Sequence, residues 1–445
     1  MKKIILAIST CFFLAANAQE TVLPAPPQKG VAYIKNATIH VGNGKVIENG
    51  TIVIKDGKIS EVGANITVPA DATQVTDAKG KHVYPGLILP TSNVGLVEVS
   101  AVRAMSDVRE IGDMNPNVRA LIAYNTDSKV INTLRSNGVL LANVVPQGSF
   151  VAGTSSVVQL DAWNWEDASY KADNGLHVYI PTMLARPRFG GFGGGGNAGP
   201  NAGGQQSDPV KEGLEKLDQL KSFFREAKAY LAEPTHEETN LKFEAVRGLF
   251  EKKQKFYAHA NTVKQILASL DFAKEFGFEI VIVGGSDSWQ VADLLKQYNV
   301  SVILMQPHSL PTMADDDVDL PYKTAALLQK AGVLFAISDD DGQTRGRNLP
   351  FNAGTAATYG LTKEEALAAI SLNAAKIMGV SDKTGSIEVG KDANIIISDG
   401  DILDMKSSNV TDAFIQGRKI DLTDKHKQLN DRFNKKYELK KQKAF

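Results

Sequence analysis

The chain has 445 residues, 43% of them hydrophobic and 22% charged, which is ordinary for a globular protein with room for one or two domains. Lysine and arginine total 49 against 50 aspartates and glutamates, so no charge surplus draws it to nucleic acid or to an anionic membrane. Normal apolar content and the absence of a short repeat exclude collagen-like, coiled-coil and disordered classes.

Lys2 and Lys3 open the chain, Ile4 to Ala16 form an apolar run, and Ala16-Asn17-Ala18 offers a small-residue cleavage site before Gln19. Residues 1–18 therefore read as a signal peptide, and the periplasm is the expected location. The run is too short to span a bilayer and no later stretch is long enough, so no membrane span is expected. The single cysteine, Cys11, lies inside this segment without a lipoprotein context. The mature chain then has no thiol, which removes disulfides, thiolate metal sites and cysteine nucleophiles.

From Val31 to Gly63 short apolar runs are separated by Asn43-Gly44, Asn49-Gly50 and Asp56-Gly57, the turn pairs of a β meander. A second β island covers Gly385–Gly390, Asn394–Ile397 and Ala413–Ile420. Neither island can bury a face alone, so one small β-sandwich domain split between both chain ends is expected.

From about Tyr84 to Gly379 strands alternate with helices. Val139–Val145, Phe278–Val283, Val300–Met305 and Val333–Ile337 read as continuous apolar strands covered on both faces. Thr262–Phe276, Ser288–Tyr298 and Tyr322–Ala331 carry helical spacing, with Gly138, Gly277 and Gly332 at C-cap positions. The fold class is α/β, a (β/α)8 TIM barrel; an open doubly wound sheet is the alternative, but no G-x-G-x-x-G opens a helix. The expected order is signal peptide 1–18, β-sandwich part 19–83, barrel 84–382 with a glycine-rich insertion 190–204, β-sandwich part 383–420, and a basic helical tail 421–445.

Tyr84-Pro85-Gly86-Leu87-Ile88, His259-Ala260-Asn261, Ala336-Ile337-Ser338-Asp339, Gly360-Leu361-Thr362 with Glu365-Ala366-Leu367, Asn373-Ala374-Ala375, and Gly385-Ser386-Ile387 with Gly390-Lys391-Asp392-Ala393 follow one another along the chain. In this order they resemble the amidohydrolase superfamily, specifically its imidazolonepropionase-like and prolidase-like branch. The resemblance implies a barrel that uses one or two divalent metals to hydrolyse C–N bonds in cyclic amides or small peptides. It also implies a first strand ending in Asp-x-His-x-His, whose two histidines share a face because strand side chains alternate.

Here the matching stretch is Leu89-Pro90-Thr91-Ser92-Asn93, with Thr91 and Asn93 in place of both histidines. Hydroxyl and amide oxygens are weak ligands for a zinc-like ion. Ile282-Val283-Gly284-Gly285 lacks the histidine many relatives carry on that strand. The residual ligands are His259 and Asp339, with Asp339 also the catalytic candidate that would handle the proton of an attacking water. Two protein ligands are fewer than the three of a catalytic zinc site, so at most one divalent metal is expected, and none if the site is dead.

His308, His177 and Arg345 are the candidates for a rebuilt pocket. His236-Glu237 is not H-E-x-x-H and reads as an exposed helix start, while Asp315-Asp316-Asp317 with Asp319 lacks EF-hand spacing. Trp163 and Trp165 suggest packing or a binding platform. His40, His82 and His426 fall outside the barrel.

Three functional readings follow: an exported amidohydrolase-family protein with a degenerate metal site, impaired or acting with an intact paralogue; an active periplasmic enzyme using His259, Asp339 and rebuilt ligands; or a non-catalytic binding or scaffold subunit. The expected partners are a small amide or peptide if it is active, and an intact paralogue or a second copy of itself.

Overall fold

The computed structural model describes residues 23–183, 208–311, 315–339 and 344–439. The expected signal peptide with Cys11, the glycine-rich segment 190–204 and Asp340-Asp341 lie outside them. Among the described residues no helix is long and apolar enough to cross a membrane.

The first strands are β1 (Val31–His40), β2 (Val46–Lys55), β3 (Lys58–Gly63), β4 (Gln74–Asp77) and β5 (His82–Pro85). Asp56-Gly57 makes the β2–β3 turn, with φ of 51° and 78°. Asn49-Gly50, expected as a turn, lies instead inside β2 at a register irregularity opposite Ala37. There Gly50 is needed for space, since a Cβ would stand 2.4 Å from Ile39 Cδ1.

Eight further strands form the second sheet: β6 (Leu87–Ser92), β7 (Val139–Val144), β8 (Val151–Gln159), β9 (Ser169–Tyr179), β10 (Lys255–Ala260), β11 (Ile280–Gly284), β12 (Ser301–Leu304) and β13 (Phe335–Ile337). They pair in sequence order from β6 to β13, and the two ends meet where Thr91 bonds Ser338, which nearly closes the sheet. All neighbours are parallel except at β8, which is antiparallel to both β7 and β9. This strand departs from a uniform (β/α)8 pattern. Val151 to Gln159 follows β7 after a connection of a few residues, too short for the crossover that a parallel neighbour requires.

The chain then returns to the first sheet as β14 (Ile395–Ser398), β15 (Val410–Ile415) and β16 (Arg418–Lys419). Strands from both chain ends thus share one ladder, β16-β15-β14-β5-β1-β2-β3 with β4 on β1, rather than two separate sheets of a sandwich. Its own core includes Ile34, Ile39, Ile52, Ile54, Ile59, Ile395 and Ile397. The crossing between sheets is at Gly86. Tyr84, expected on the first barrel strand, therefore pairs with Ile396 in the first sheet. A Cβ on Gly86 would stand 2.7 Å from Leu140 Cδ1.

The helices that position the site are α1 (Lys129–Arg135), α2 (Pro209–Ala232), α3 (Val263–Phe276), α4 (Leu320–Ala331), α5 (Leu349–Thr358), α6 (Lys363–Ala369) and α7 (Lys425–Lys436). Thr262 and Gln265 form a capping box at the start of α3, and Gly277 and Gly332 end α3 and α4 in the left-handed region. Leu217, Leu220 and Phe224 give α2 its buried stripe, and Phe224 meets Phe256, Phe272 and Phe278 edge-on. His236 stacks on Tyr230 in the loop after α2 rather than opening a helix. The tail is helical over α7, with Phe433 and Tyr437 exposed. Trp165 packs against the barrel core while Trp163 is exposed, so the tryptophan pair splits between the two roles weighed for it.

Candidate functional site

A cavity of about 470 Å³ opens at the C-terminal ends of β6, β9, β10 and β11. That is the end where barrels of this kind carry their chemistry. His259, Asp339 and Thr91 all line it, so the structure brings together three of the positions expected from sequence. A smaller cavity of about 200 Å³ adjoins it through Asn261, Gly284 and Met305.

Strand pairing explains the aromatic floor. The β9–β10 register sets His177 opposite Tyr257 and Tyr179 opposite His259. His177 stacks on Tyr257 with ring centroids 4.6 Å apart, and Tyr179 stacks on His259 at 3.9 Å. Along the diagonal, His177 Nδ1 lies 2.9 Å from His259 Nε2. His177 is fully buried, and its Nε2 lies 2.8 Å from Ser155 Oγ on β8. Burial pushes the His259 imidazole down to about 3 and holds His177 well below the ordinary histidine range, so both rings are neutral at pH 7.

Asp339, 2% exposed, follows β13 and accepts a hydrogen bond of 2.9 Å from Asn352 Nδ2 on α5. Arg345 is exposed, with Nε 3.9 Å from Asp339 Oδ1. Thr91, 7% exposed, pairs its hydroxyl with Ser338 Oγ at 2.7 Å and reaches Met305 Sδ at 3.9 Å. Asn93 is buried just beyond the end of β6.

The remaining candidates are placed elsewhere. His308 is exposed and meets Tyr322 edge-on at 5.7 Å, although its neighbours Pro307 and Ser309 line the smaller cavity. His177 lies beneath the site, behind His259. Ser155, Asn352 and Ser338 were missed by sequence reasoning. Asn352 stands on a helix 13 residues beyond Asp339, with no motif around it. Tyr179 was also missed but could have been found from His177, because alternate residues of one strand share a face.

Among the described residues the donor set falls short of the three protein ligands of a catalytic zinc centre. His259 and Asp339 are the imidazole and carboxylate in the cavity wall, and among the described residues no three His, Cys, Asp or Glu side chains converge. The Thr91 hydroxyl, a weak ligand, is hydrogen-bonded to Ser338, and Gly284 has φ of 100° and no side chain to offer.

A profile described as Amidohydrolase family matches residues 322–420. The amidohydrolase tasK of Hapsidospora irregularis is 23% identical over 378 residues, 77% of this chain and 37% of that protein. The imidazolonepropionase of Flavobacterium johnsoniae is 39% identical over 84 residues, 18% of this chain and 20% of that protein. This chain therefore spans well under half the length of either relative in the matched region. A crystallised amidohydrolase from Thermotoga maritima superposes with a TM-score of 0.75 at 26% identity, over 88% of this chain and 99% of that one. These likenesses support the amidohydrolase superfamily. Within it the Flavobacterium johnsoniae match supports the imidazolonepropionase-like side of the branch to which the sequence motifs point.

Proposed function

We propose that this chain is an exported amidohydrolase-family protein whose metal site is degenerate, so that alone it is impaired in hydrolysis and acts beside an intact paralogue. The observation that carries this reading is that Thr91, where the resemblance calls for an imidazole ligand, is buried with its hydroxyl hydrogen-bonded to Ser338. Without a metal, water keeps its bulk acidity and the neutral-pH nucleophile is lost. Asp339 remains as a base, but a general base alone contributes roughly 10²–10⁴-fold.

The test is hydrolysis of a panel of dipeptides and small cyclic amides by the mature chain with zinc chloride added. No turnover above the zinc blank is expected. Turnover abolished by Asp339→Asn would favour the second reading, an active metal-dependent enzyme with rebuilt ligands. That reading draws support from His259 and Asp339 lining one cavity.

A further inference from the structure

The hydrogen bonds behind His259 run in one direction, and their anchor sets it. Tyr257 Oη donates to the Ile377 carbonyl at 3.5 Å, and a carbonyl can only accept. Having spent its proton, Tyr257 Oη accepts from Asn174 Nδ2 at 3.4 Å, which turns Asn174 Oδ1 toward Ser155. Ser155 Oγ donates to that amide oxygen at 2.8 Å, and the Gly175 carbonyl, 3.4 Å away, draws the same proton. The Ser155 oxygen is then left to accept from His177 Nε2–H at 2.8 Å. His177 Nδ1 carries the lone pair and accepts from His259 Nε2–H at 2.9 Å. Tyr257, Ser155 and His177 are fully shielded, and Asn174 is 1% exposed, so water does not offer any of them another partner.

We propose that Tyr257, Asn174, Ser155 and His177 are positioning residues whose one-way hydrogen-bond chain fixes His259 as the Nε2–H tautomer, so that a bare Nδ1 is what His259 offers its ligand. Asp339, on the same cavity wall, is a second acceptor. The ligand class that satisfies both carries hydrogen-bond donors, whether on an amide, an ammonium or a hydroxyl group. This deepens the proposed function and rests on the cavity being the binding site, whereas the tautomer itself depends on the hydrogen-bond chain alone.

The test is a long-range proton–nitrogen correlation spectrum of the full chain labelled with ¹⁵N-histidine, at neutral pH. His259 is assigned by the signals lost in His259→Gln. The expected spectrum shows His259 and His177 each as a single Nε2–H tautomer. An Nδ1–H tautomer at His259, or a mixture of the two forms, overturns the proposal. In Ser155→Ala the acceptor for His177 is gone, and both rings are expected to become tautomer mixtures. A folded Ser155→Ala chain with unchanged tautomers removes Ser155 from the chain of positioning residues. If that variant does not fold, the wild-type spectrum decides alone. Hydrolysis is read on separate samples, so the functional reading and the tautomer assignment fail independently.

Discussion

Thr91 Oγ1 on the first barrel strand and Ser338 Oγ after the last lie 2.7 Å apart, a buried hydroxyl pair at the seam where the barrel sheet nearly closes. Thr91 Oγ1 also reaches Met305 Sδ at 3.9 Å and Ser338 Oγ the Thr91 carbonyl at 3.3 Å, so both buried hydroxyls have partners and this part of the cavity wall carries a structural task.

Restoring the ligands at this seam is expected to restore metal binding. Thr91→His places an imidazole in the wall of a cavity that already holds His259 and Asp339, and Asn93→His adds a second just beyond the end of β6. The larger ring at Thr91, only 7% exposed, is expected to cost about 1–3 kcal/mol, read from urea unfolding. Zinc bound per chain, measured after dialysis against zinc chloride, is expected to rise toward one. A folded double variant that takes up no more zinc than its parent would show that these two positions are not what the site lacks.

The equivalent repair at β11 is expected to fail. Gly284 has φ of 100°, and a Cβ there would stand 2.3 Å from Asn261 Oδ1. Gly284→Ala is expected to destabilise the chain by about 1–3 kcal/mol through crowding and left-handed strain. A melting temperature equal to that of the parent would mean that the backbone at β11 accepts a Cβ and would remove this obstacle to the repair.

Much of this was legible in the sequence. Asp56-Gly57 announced its hairpin, and Gly277 and Gly332 announced the helix ends, because each rests on local backbone conformation. Strand β8 was not legible, since Gly153-Thr154-Ser155-Ser156 breaks the apolar run of Val151–Gln159, although the structure buries almost all of it. Within the site, His259, Asp339 and Thr91 were found on motif-bearing strand ends. Asn352 and Ser155 act through long-range contacts that leave no local pattern. His308 sits on the strand-end loop as expected, yet its ring turns to Tyr322, an orientation that spacing does not encode.

Asp161 ties three distant segments together. It accepts from Arg135 Nη1 at 2.6 Å on α1, from Arg418 Nη1 at 2.8 Å on β16, and from the Ala25 backbone at 3.0 Å. Asp161→Asn leaves two guanidinium groups with side-chain exposures of only 4% and 11% without their carboxylate. A loss of about 3–5 kcal/mol is expected in urea unfolding, as for a buried pair broken from one side. A loss below about 1 kcal/mol, the range of exposed pairs, would contradict that.

Glu388 links the first sheet to acid stability. Ser386 donates to it at 2.6 Å, Lys391 lies 2.9 Å away and Asn43 donates at 3.0 Å, and these groups pull its carboxyl down from 4.5 to about 2. A depressed folded value means that the unfolded chain binds the proton first. The stabilisation is therefore complete above about pH 4.5 and is lost as pH falls toward 2. Glu388→Gln is expected to flatten the urea midpoint against pH in that window and to leave the curve above pH 5 parallel to the parent's. An unchanged acid limb would remove Glu388 as a contributor.

The central claim is that His259 and Asp339 do not by themselves hold a catalytic metal, and the most direct measurement is metal content. The mature chain, residues 19–445, is purified without chelator and its zinc, manganese and iron are counted per chain by inductively coupled plasma mass spectrometry. A folded chain carrying far less than one metal ion is the expected result. About one tightly held ion per chain, lost in His259→Ala, would contradict the claim and return the protein to the metal-dependent hydrolases.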